Sequence, residues 1–178
     1  MKYLIRRQFS ITSSVKKFEI QDQRKNEYKV KAKLTNNKLP FNIKISNIYK
    51  KDEFCIIERD KTEKQCYQIS LNNKKFATIK YYFVQTNNVI YHINIGSTKQ
   101  YSVSSNDLKY RALTIIDVPM DNLIDNVNNN DRQILIQVSN QFSKLTDTYH
   151  VIVNDIKYSL GYLAIAILLD LHERKRQD

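Results

Sequence analysis

The sequence of 178 residues predicts a mainly β fold, a closed antiparallel barrel of about twelve strands around a central hydrophobic C-terminal α-helix. Three observations predict it. Apolar and polar side chains alternate along most of residues 1–153, the pattern of strands that bury one face. The turns between these segments are short, so consecutive strands should pair antiparallel. Residues 159–174 form a helical segment with almost no polar face, and such a helix must be enclosed. We expect a single domain over residues 1–178.

The strands are predicted from the alternating segments. The clearest is residues 28–34, where Tyr28, Val30 and Ala32 alternate with lysines. Comparable alternation marks residues 41–46, 67–71, 77–83, 89–95, 134–138 and 149–153. Weaker candidates are residues 3–9, 18–21, 54–59, 100–104 and 109–116. A sheet of this many strands has two exposed edges that closure into a barrel removes, and such a barrel is too wide for its own side chains to fill.

The C-terminal helix is predicted to occupy the centre of that barrel. Its apolar run, residues 158–171, is shorter than the roughly 20 residues that a membrane span needs. Enclosure by protein is therefore the favoured interpretation, and insertion into a bilayer is the alternative. The charged last turn, residues 172–176 beginning with His172, is expected to reach water. Gly161 is expected to let the helix approach the strands closely.

The net charge of +11 predicts an anionic partner, such as phospholipid headgroups, nucleic acid or an acidic protein. The first 18 residues are basic and lack acids, which suits either a first strand, the favoured interpretation, or a mitochondrial presequence.

Cys55 and Cys66 flank a predicted hairpin tip at Asp60 and Lys61, which would place the thiols roughly opposite each other. We expect free thiols and a cytoplasmic protein, peripheral at a membrane, with a mitochondrial location as the alternative.

No segment of the sequence predicts catalysis. The histidines are scattered, with His92 and His150 expected on the outer face of strands, whereas a zinc site needs about four clustered ligands. The two glycines stand alone, so no phosphate-binding loop is predicted. The acidic segment 117–131 is interpreted as a solvated loop, with a calcium site as the alternative. We therefore expect no enzymatic activity, no catalytic residues, no metal and no cofactor.

The remaining chemical signal is a run of lysines on one strand face. Lys29, Lys31 and Lys33 alternate with apolar residues, and Lys44 should stand beside them on the next strand. Like charges at this spacing repel unless an anion or an acid offsets them. The candidate anion-binding residues are Lys29, Lys31, Lys33, Lys44, Arg6 and Arg7, with Lys16 and Lys17 as an extension. The alternative is a solvated strand face whose lysines discourage aggregation. Tyr49 and Tyr82 are candidates for stacking on nucleic-acid bases.

Residues 1–6 resemble the opening strand, and residues 18–22 and 28–30 resemble the second and third strands, of the LURP-one-related family. The segments 138–142 and 146–151 are similar to its last two strands, and residues 168–174 resemble the end of its helix. The chain departs from the family in its few turn glycines and its longer acidic loop.

This family belongs with tubby C-terminal domains and phospholipid scramblases. The resemblance implies a twelve-stranded barrel threaded by a hydrophobic helix and implies no catalytic residues. Tubby relatives recognise phosphoinositides and scramblases act at membranes. Charge and resemblance together predict a non-enzymatic module that binds anionic phospholipid headgroups. A nucleic-acid-binding protein and a scramblase-like protein with its helix in the bilayer are the alternatives.

Overall fold

Twelve strands and one long helix make up most of the part of the chain that the structure describes. The computed structural model describes residues 1–8, 15–25, 27–33, 42–49, 54–60, 62–63, 65–85, 88–97, 99–104, 114–117, 133–138 and 148–177. The strands are β1 Lys2–Gln8, β2 Val15–Asp22, β3 Glu27–Lys33, β4 Asn42–Asn47, β5 Phe54–Arg59, β6 Cys66–Leu71, β7 Lys74–Gln85, β8 Asn88–Ile95, β9 Lys99–Ser104, β10 Thr114–Asp117, β11 Gln133–Val138 and β12 Thr148–Val153. A 3-10 turn, Ile156–Tyr158, leads into helix α1, Ser159–Gln177.

The strands form one antiparallel sheet in the order β10-β11-β12-β1-β2-β3-β4-β5-β6-β7-β8-β9. Eleven antiparallel pairings join the twelve strands, and each links neighbours in sequence except the pairing of β12 with β1. The predicted mainly β, antiparallel architecture with a C-terminal helix is confirmed. Among the described residues no hydrogen-bonded ladder joins β9 to β10, the two strands at the ends of this order.

Each strand of this sheet overlaps a segment predicted from the alternating pattern, although residues 109–113 of the predicted segment 109–116 lie outside the described residues. In the clearest example, Tyr28 and Val30 are buried while Lys29 is exposed. The N-terminal segment forms β1, as the strand interpretation predicted, with Tyr3 and Ile5 in the core. The acidic segment proposed as a loop lies outside the described residues, apart from Asp117 at the end of β10.

Helix α1 is enclosed by the chain, as predicted. Every residue from Ser159 to His172 is buried, and the helix packs against β5, β6, β11 and β12. It belongs to one hydrophobic core with the inward-facing residues of the strands. Among the described residues, no helix combines the length and the apolar character required to cross a bilayer.

The direction of α1 relative to the sheet is set by its contacts with β7. Near the start of the helix, a Cβ on Gly161 would collide with the ring of Phe76, so glycine permits the predicted close approach. Near its end, the ring of His172 lies 4.5 Å from that of Tyr81. The five-residue step along β7 and the eleven-residue step along α1 both span about 17 Å. The two elements therefore run in the same direction.

We call the end of the sheet at which α1 finishes the distal end, and the end at which it starts the proximal end. Because all neighbouring strands are antiparallel, the odd-numbered strands finish at the distal end and the even-numbered strands begin there. The distal end thus gathers the ends of β3, β7 and α1 with the beginnings of β2 and β4. This grouping is not visible in the linear sequence.

The prediction that His172 reaches water is wrong, since this residue is 2% exposed. Its Nδ1 is hydrogen-bonded to the hydroxyl of Tyr91 at 2.5 Å, and the Tyr81 ring packs beside it. Tyr81 and Tyr91, which lie on neighbouring strands, therefore extend the core past Leu169 to His172. Of the other histidines, His92 is exposed, as expected, and His150 is half-buried.

The predicted juxtaposition of the two cysteines is also wrong. Cys55 pairs with Leu71 in the β5–β6 ladder, whereas Cys66 accepts a hydrogen bond from the backbone N–H of Asp60 at 2.8 Å. Strand β5 ends at Arg59 and β6 begins at Cys66, so Cys55 lies at the far end of the hairpin and Cys66 lies beside the turn. Both cysteines are free and buried.

Candidate anion-binding surface

Three lysines stand in line across neighbouring strands. Lys31 on β3 faces Lys17 on β2 and Lys44 on β4 in the backbone register. We call Lys17, Lys31 and Lys44 the lysine row. Adjacent strands are about 4.8 Å apart, so like charges at facing positions repel and destabilise the sheet unless an anion offsets them. The row lies toward the distal end, because Lys17 is near the start of β2 and Lys44 is near the start of β4.

A tight turn between β2 and β3 sets this register. The Asp22 carboxylate accepts a hydrogen bond from the N–H of Arg24 at 2.8 Å, and the Asp22 carbonyl accepts one from the N–H of Lys25 at 3.1 Å. Lys25 adopts the left-handed backbone conformation with φ of 62°, which reverses the chain. The turn brings Lys17 opposite Lys31, since each lies the same number of residues from its centre.

A second row carries mixed charge. Glu19 on β2 faces Arg6 on β1 and Lys29 on β3, and all three side chains are exposed. A carboxylate between two cations offsets both of them. Arg6, Glu19 and Lys29 line a groove of about 220 Å³ together with Glu27. With two acids, this groove is less suited to an anion than the lysine row.

The structure divides the predicted site residues into separate groups. Lys31 and Lys44 face each other in the lysine row, whereas Arg6 and Lys29 belong to the mixed-charge row. Lys33 follows on β3, and its backbone pairs with Val15 and Asn42. The Arg7 backbone lies opposite Phe18, a buried residue.

The Lys44 ammonium has a defined position. Its Nζ lies 5.1 Å from the centre of the Phe54 ring, a cation–π contact on an exposed sheet face. Such a contact is worth about 0.5–1 kcal/mol at the surface and leaves the other faces of the ammonium accessible to an anion. The contact holds the charge of Lys44, one member of the lysine row, on the outside of the sheet.

Charges around the β5–β6 turn, which also lies at the distal end, are satisfied internally. Lys80 Nζ lies 2.9 Å from the Glu63 carboxylate, and hydrogen bonding to Glu63 raises the pKa of Lys80. The Asp60 carboxylate accepts hydrogen bonds from the Thr62 hydroxyl and from the backbone N–H groups of Glu63 and Thr62, which lower its pKa to about 2. These pairs stabilise the β5–β6 turn and leave the lysine row as the stronger candidate for an external anion.

Sequence reasoning identified Lys31 and Lys44 but gave Lys17 only a secondary place and overlooked Glu19. The alternation of Phe18, Glu19 and Ile20 is a signal for an exposed acid on β2. The facing partners, however, depend on the hairpin register, which alternation alone leaves undetermined.

The described residues offer little to support other chemistries. In the described ranges, no three His, Cys, Asp or Glu side chains cluster so as to hold a metal ion. Burial raises the pKa of Cys55 to about 12, and burial followed by the charges of Glu63 and Asp60 raises that of Cys66. Both thiols are therefore poor nucleophiles at neutral pH.

The two tyrosines proposed for base stacking do not share a surface. Both are exposed, but Tyr49 follows the end of β4 at the proximal end, whereas Tyr82 lies near the end of β7 at the distal end. A single short nucleic-acid segment would not reach both.

Comparison of the chain with protein-family models, curated proteins and solved structures finds no match.

Proposed function

We propose that the chain is a non-enzymatic binding module that docks to anionic phospholipid headgroups through the lysine row. The observation that carries this proposal is the register that lines up Lys17, Lys31 and Lys44 without an intervening acid. The like charges of the lysine row repel one another when no anion is present. Phosphate groups that approach the row offset this repulsion and stabilise the surface. The net charge of +11 acts in the same direction over a longer range.

We also propose that the sheet closes into a barrel of the tubby-like kind. The order of the strands supports closure, because the two edges, β9 and β10, are consecutive in the chain and antiparallel to each other in direction. The burial of α1 from Ser159 to His172 supports it as well, since a helix that is buried on all sides requires a continuous wall.

Membership of the LURP-one-related family is part of this proposal. It is supported by the quoted resemblance of the two ends of the chain and by the shared combination of antiparallel strands with a buried C-terminal helix. The association of tubby and scramblase relatives with membrane lipids favours a phospholipid over other anions. The lysine row is the main support for the lipid-binding function, because one fold can carry many functions.

The expected binding mode is electrostatic docking to a negatively charged membrane. Each lysine near an anionic bilayer contributes about 1 kcal/mol, and this attraction falls off within a Debye length of about 8 Å at physiological salt. Binding should therefore require anionic lipid and weaken as salt increases.

Co-sedimentation with vesicles tests this function. The wild-type protein should sediment with phosphatidylserine or phosphoinositide vesicles and stay in solution with neutral ones. Lys31→Glu/Lys44→Glu should abolish sedimentation. Lys2→Glu/Lys74→Glu is the matched control, because it makes the same charge change on two exposed lysines at the proximal end, and it should retain most of the binding.

Two results would contradict the proposal. One is an absence of sedimentation by the wild type even at low salt, and the other is equal loss of binding in the test and control variants. A salt-sensitive gel shift with DNA or RNA, without vesicle binding, would instead favour the nucleic-acid interpretation.

A further inference from the structure

Three consecutive apolar side chains are exposed at the distal end of β7. Tyr82, Phe83 and Val84 have 43%, 61% and 53% of their surfaces exposed. The alternating pattern predicted that Phe83 would be in the core, and its partner across the ladder, Val89, is buried. That prediction for Phe83 is wrong because the 12-residue β7 continues past the core and the ladder shifts register between Phe83 and Gln85. We call Tyr82, Phe83 and Val84 the apolar tip.

The apolar tip is held in place by contacts with the strands below it. The Phe83 ring meets the Tyr81 ring edge-on at 5.9 Å, and the Tyr82 ring meets that of His92 at 5.3 Å. Because β7 is paired with both β6 and β8, its backbone is also fixed along most of its length. Rings that are already ordered lose little conformational freedom when they bind a second surface.

The apolar tip lies at the end of the molecule that also carries the lysine row. The strands β3 and β7 both finish there, and β2 and β4 both begin there. Helix α1 ends at the same place, and its last turns contain Arg174, Lys175 and Arg176 in sequence. Apolar and cationic groups are therefore combined at one end, which is the composition of a surface that meets an anionic bilayer.

We propose that the protein docks end-on to an anionic bilayer, with Phe83 and Val84 entering the interfacial layer and the lysine row at the headgroups. This orientation rests on the proposed lipid-binding function and adds to it the part of the molecule that enters the membrane. Aromatic side chains are favoured at the membrane–water interface, and Tyr82 beside Phe83 can keep its hydroxyl among the headgroups.

A lipid surface is favoured over a protein partner by charge. The cations at this end complement an anionic membrane, whose local negative potential draws basic segments toward it. The proximal end provides an internal comparison, because it also exposes apolar side chains, namely Tyr49 at 71% and, in the turn before α1, Ile156 at 60% and Tyr158 at 38%. In that turn Lys157 stands between the two apolar residues, whereas the three residues of the apolar tip are consecutive in the chain.

The orientation can be measured by tryptophan fluorescence, because the chain contains no Trp. The Phe83→Trp variant introduces a single probe at the distal end, and Ile156→Trp introduces one at an equally exposed proximal position. With phosphatidylserine vesicles, the emission of Phe83→Trp should shift to the blue and be quenched by brominated acyl chains. The emission of Ile156→Trp should not change.

Substitution at the apolar tip should weaken vesicle binding. Replacing two partly inserted apolar side chains, in Phe83→Ser/Val84→Ser, should lower the affinity about tenfold. The control Ile156→Ser should bind like the wild type. Because both positions are already exposed, neither variant should lose its cooperative unfolding, which circular dichroism can verify.

The outcomes separate this orientation from the function on which it rests. If the wild type does not sediment with anionic vesicles, the lipid-binding function fails, and the orientation fails with it. If the wild type sediments but Phe83→Trp shows neither blue shift nor quenching, the function stands and the orientation is overturned. A shift that occurs in Ile156→Trp instead would overturn it as well.

Discussion

At the residue scale, two buried tyrosines differ in the hydrogen bonding of their hydroxyl groups. Both Tyr67 and Tyr91 are 1% exposed. The Tyr91 hydroxyl is hydrogen-bonded to His172 Nδ1, whereas among the residues that the structure describes nothing hydrogen-bonds to the Tyr67 hydroxyl. Burial, followed by the neighbouring Tyr81, raises the pKa of Tyr67 well above its usual value. A buried hydroxyl without a partner costs about 1–3 kcal/mol in desolvation.

The same substitution at these two positions should therefore have opposite effects. Tyr91→Phe should lower the free energy of unfolding by about 1–2 kcal/mol, because it breaks a buried hydrogen bond and leaves His172 Nδ1 without this partner. Tyr67→Phe should leave stability unchanged or raise it by up to about 1 kcal/mol, because it removes only a desolvated hydroxyl. Urea unfolding followed by circular dichroism measures both values. Equal destabilisation by the two variants would contradict this account of the core.

Individual residues also show where prediction from sequence succeeds and where it stops. Alternation correctly predicted that Tyr28 and Val30 on β3 and Ile43 and Ile45 on β4 are buried, because the strand period depends only on local geometry. It misplaced His172 and Phe83, since their exposure depends on where the helix and the strand end relative to each other. The close approach at Gly161 was predictable because a lone glycine in an apolar helix has few other uses.

At the element scale, the sequence pattern does not determine the register of the strands, that is, which residues of neighbouring strands face each other. All twelve strands could be located from alternation, but facing residues depend on turn geometry. The lysine row exists because the turn at Asp22 and Lys25 is tight. The cysteines are apart because the turn after Asp60 is longer than the sequence suggested. The candidate site was thus predictable as a set of residue types and only partly as an arrangement.

The edge between β9 and β10 gives a test at this scale. One side of β9 is hydrogen-bonded to β8, so in an open sheet the N–H groups on its other side would face solvent. In the closed barrel that we propose, β10 pairs with that side, and amides along the whole of Lys99–Ser104 should exchange slowly. Residue-resolved hydrogen exchange measures this protection, with β8 as the reference strand. Rapid exchange at alternate positions of β9 would contradict closure.

At the scale of the whole molecule, the helix and the sheet depend on each other. The first and last strands pair, and the N–H of Val153 donates to the carbonyl of Met1 at 2.8 Å, so the wall continues across the two ends of the chain. Helix α1 begins directly after this junction and is buried from Ser159 to His172. Inward-facing residues such as Ile45 and Ile57 belong to the same core as the helix.

Both the predicted fold and the proposed docking orientation depend on the helix remaining inside the sheet. Without helix α1, the apolar inner face of a sheet of this size would not be covered. With it, the distal end is defined by the helix terminus, and the apolar tip and the lysine row come to lie together.

Truncation after Asn154 is therefore the most direct test of this architecture. The shortened chain lacks α1 and should aggregate or lose its cooperative urea transition, because the apolar inner face of the strands becomes exposed to water. Size-exclusion chromatography and circular dichroism, with the full-length protein as reference, give the result. If the truncated chain stays monomeric and still unfolds in a single cooperative transition, the buried helix is not the centre of the fold.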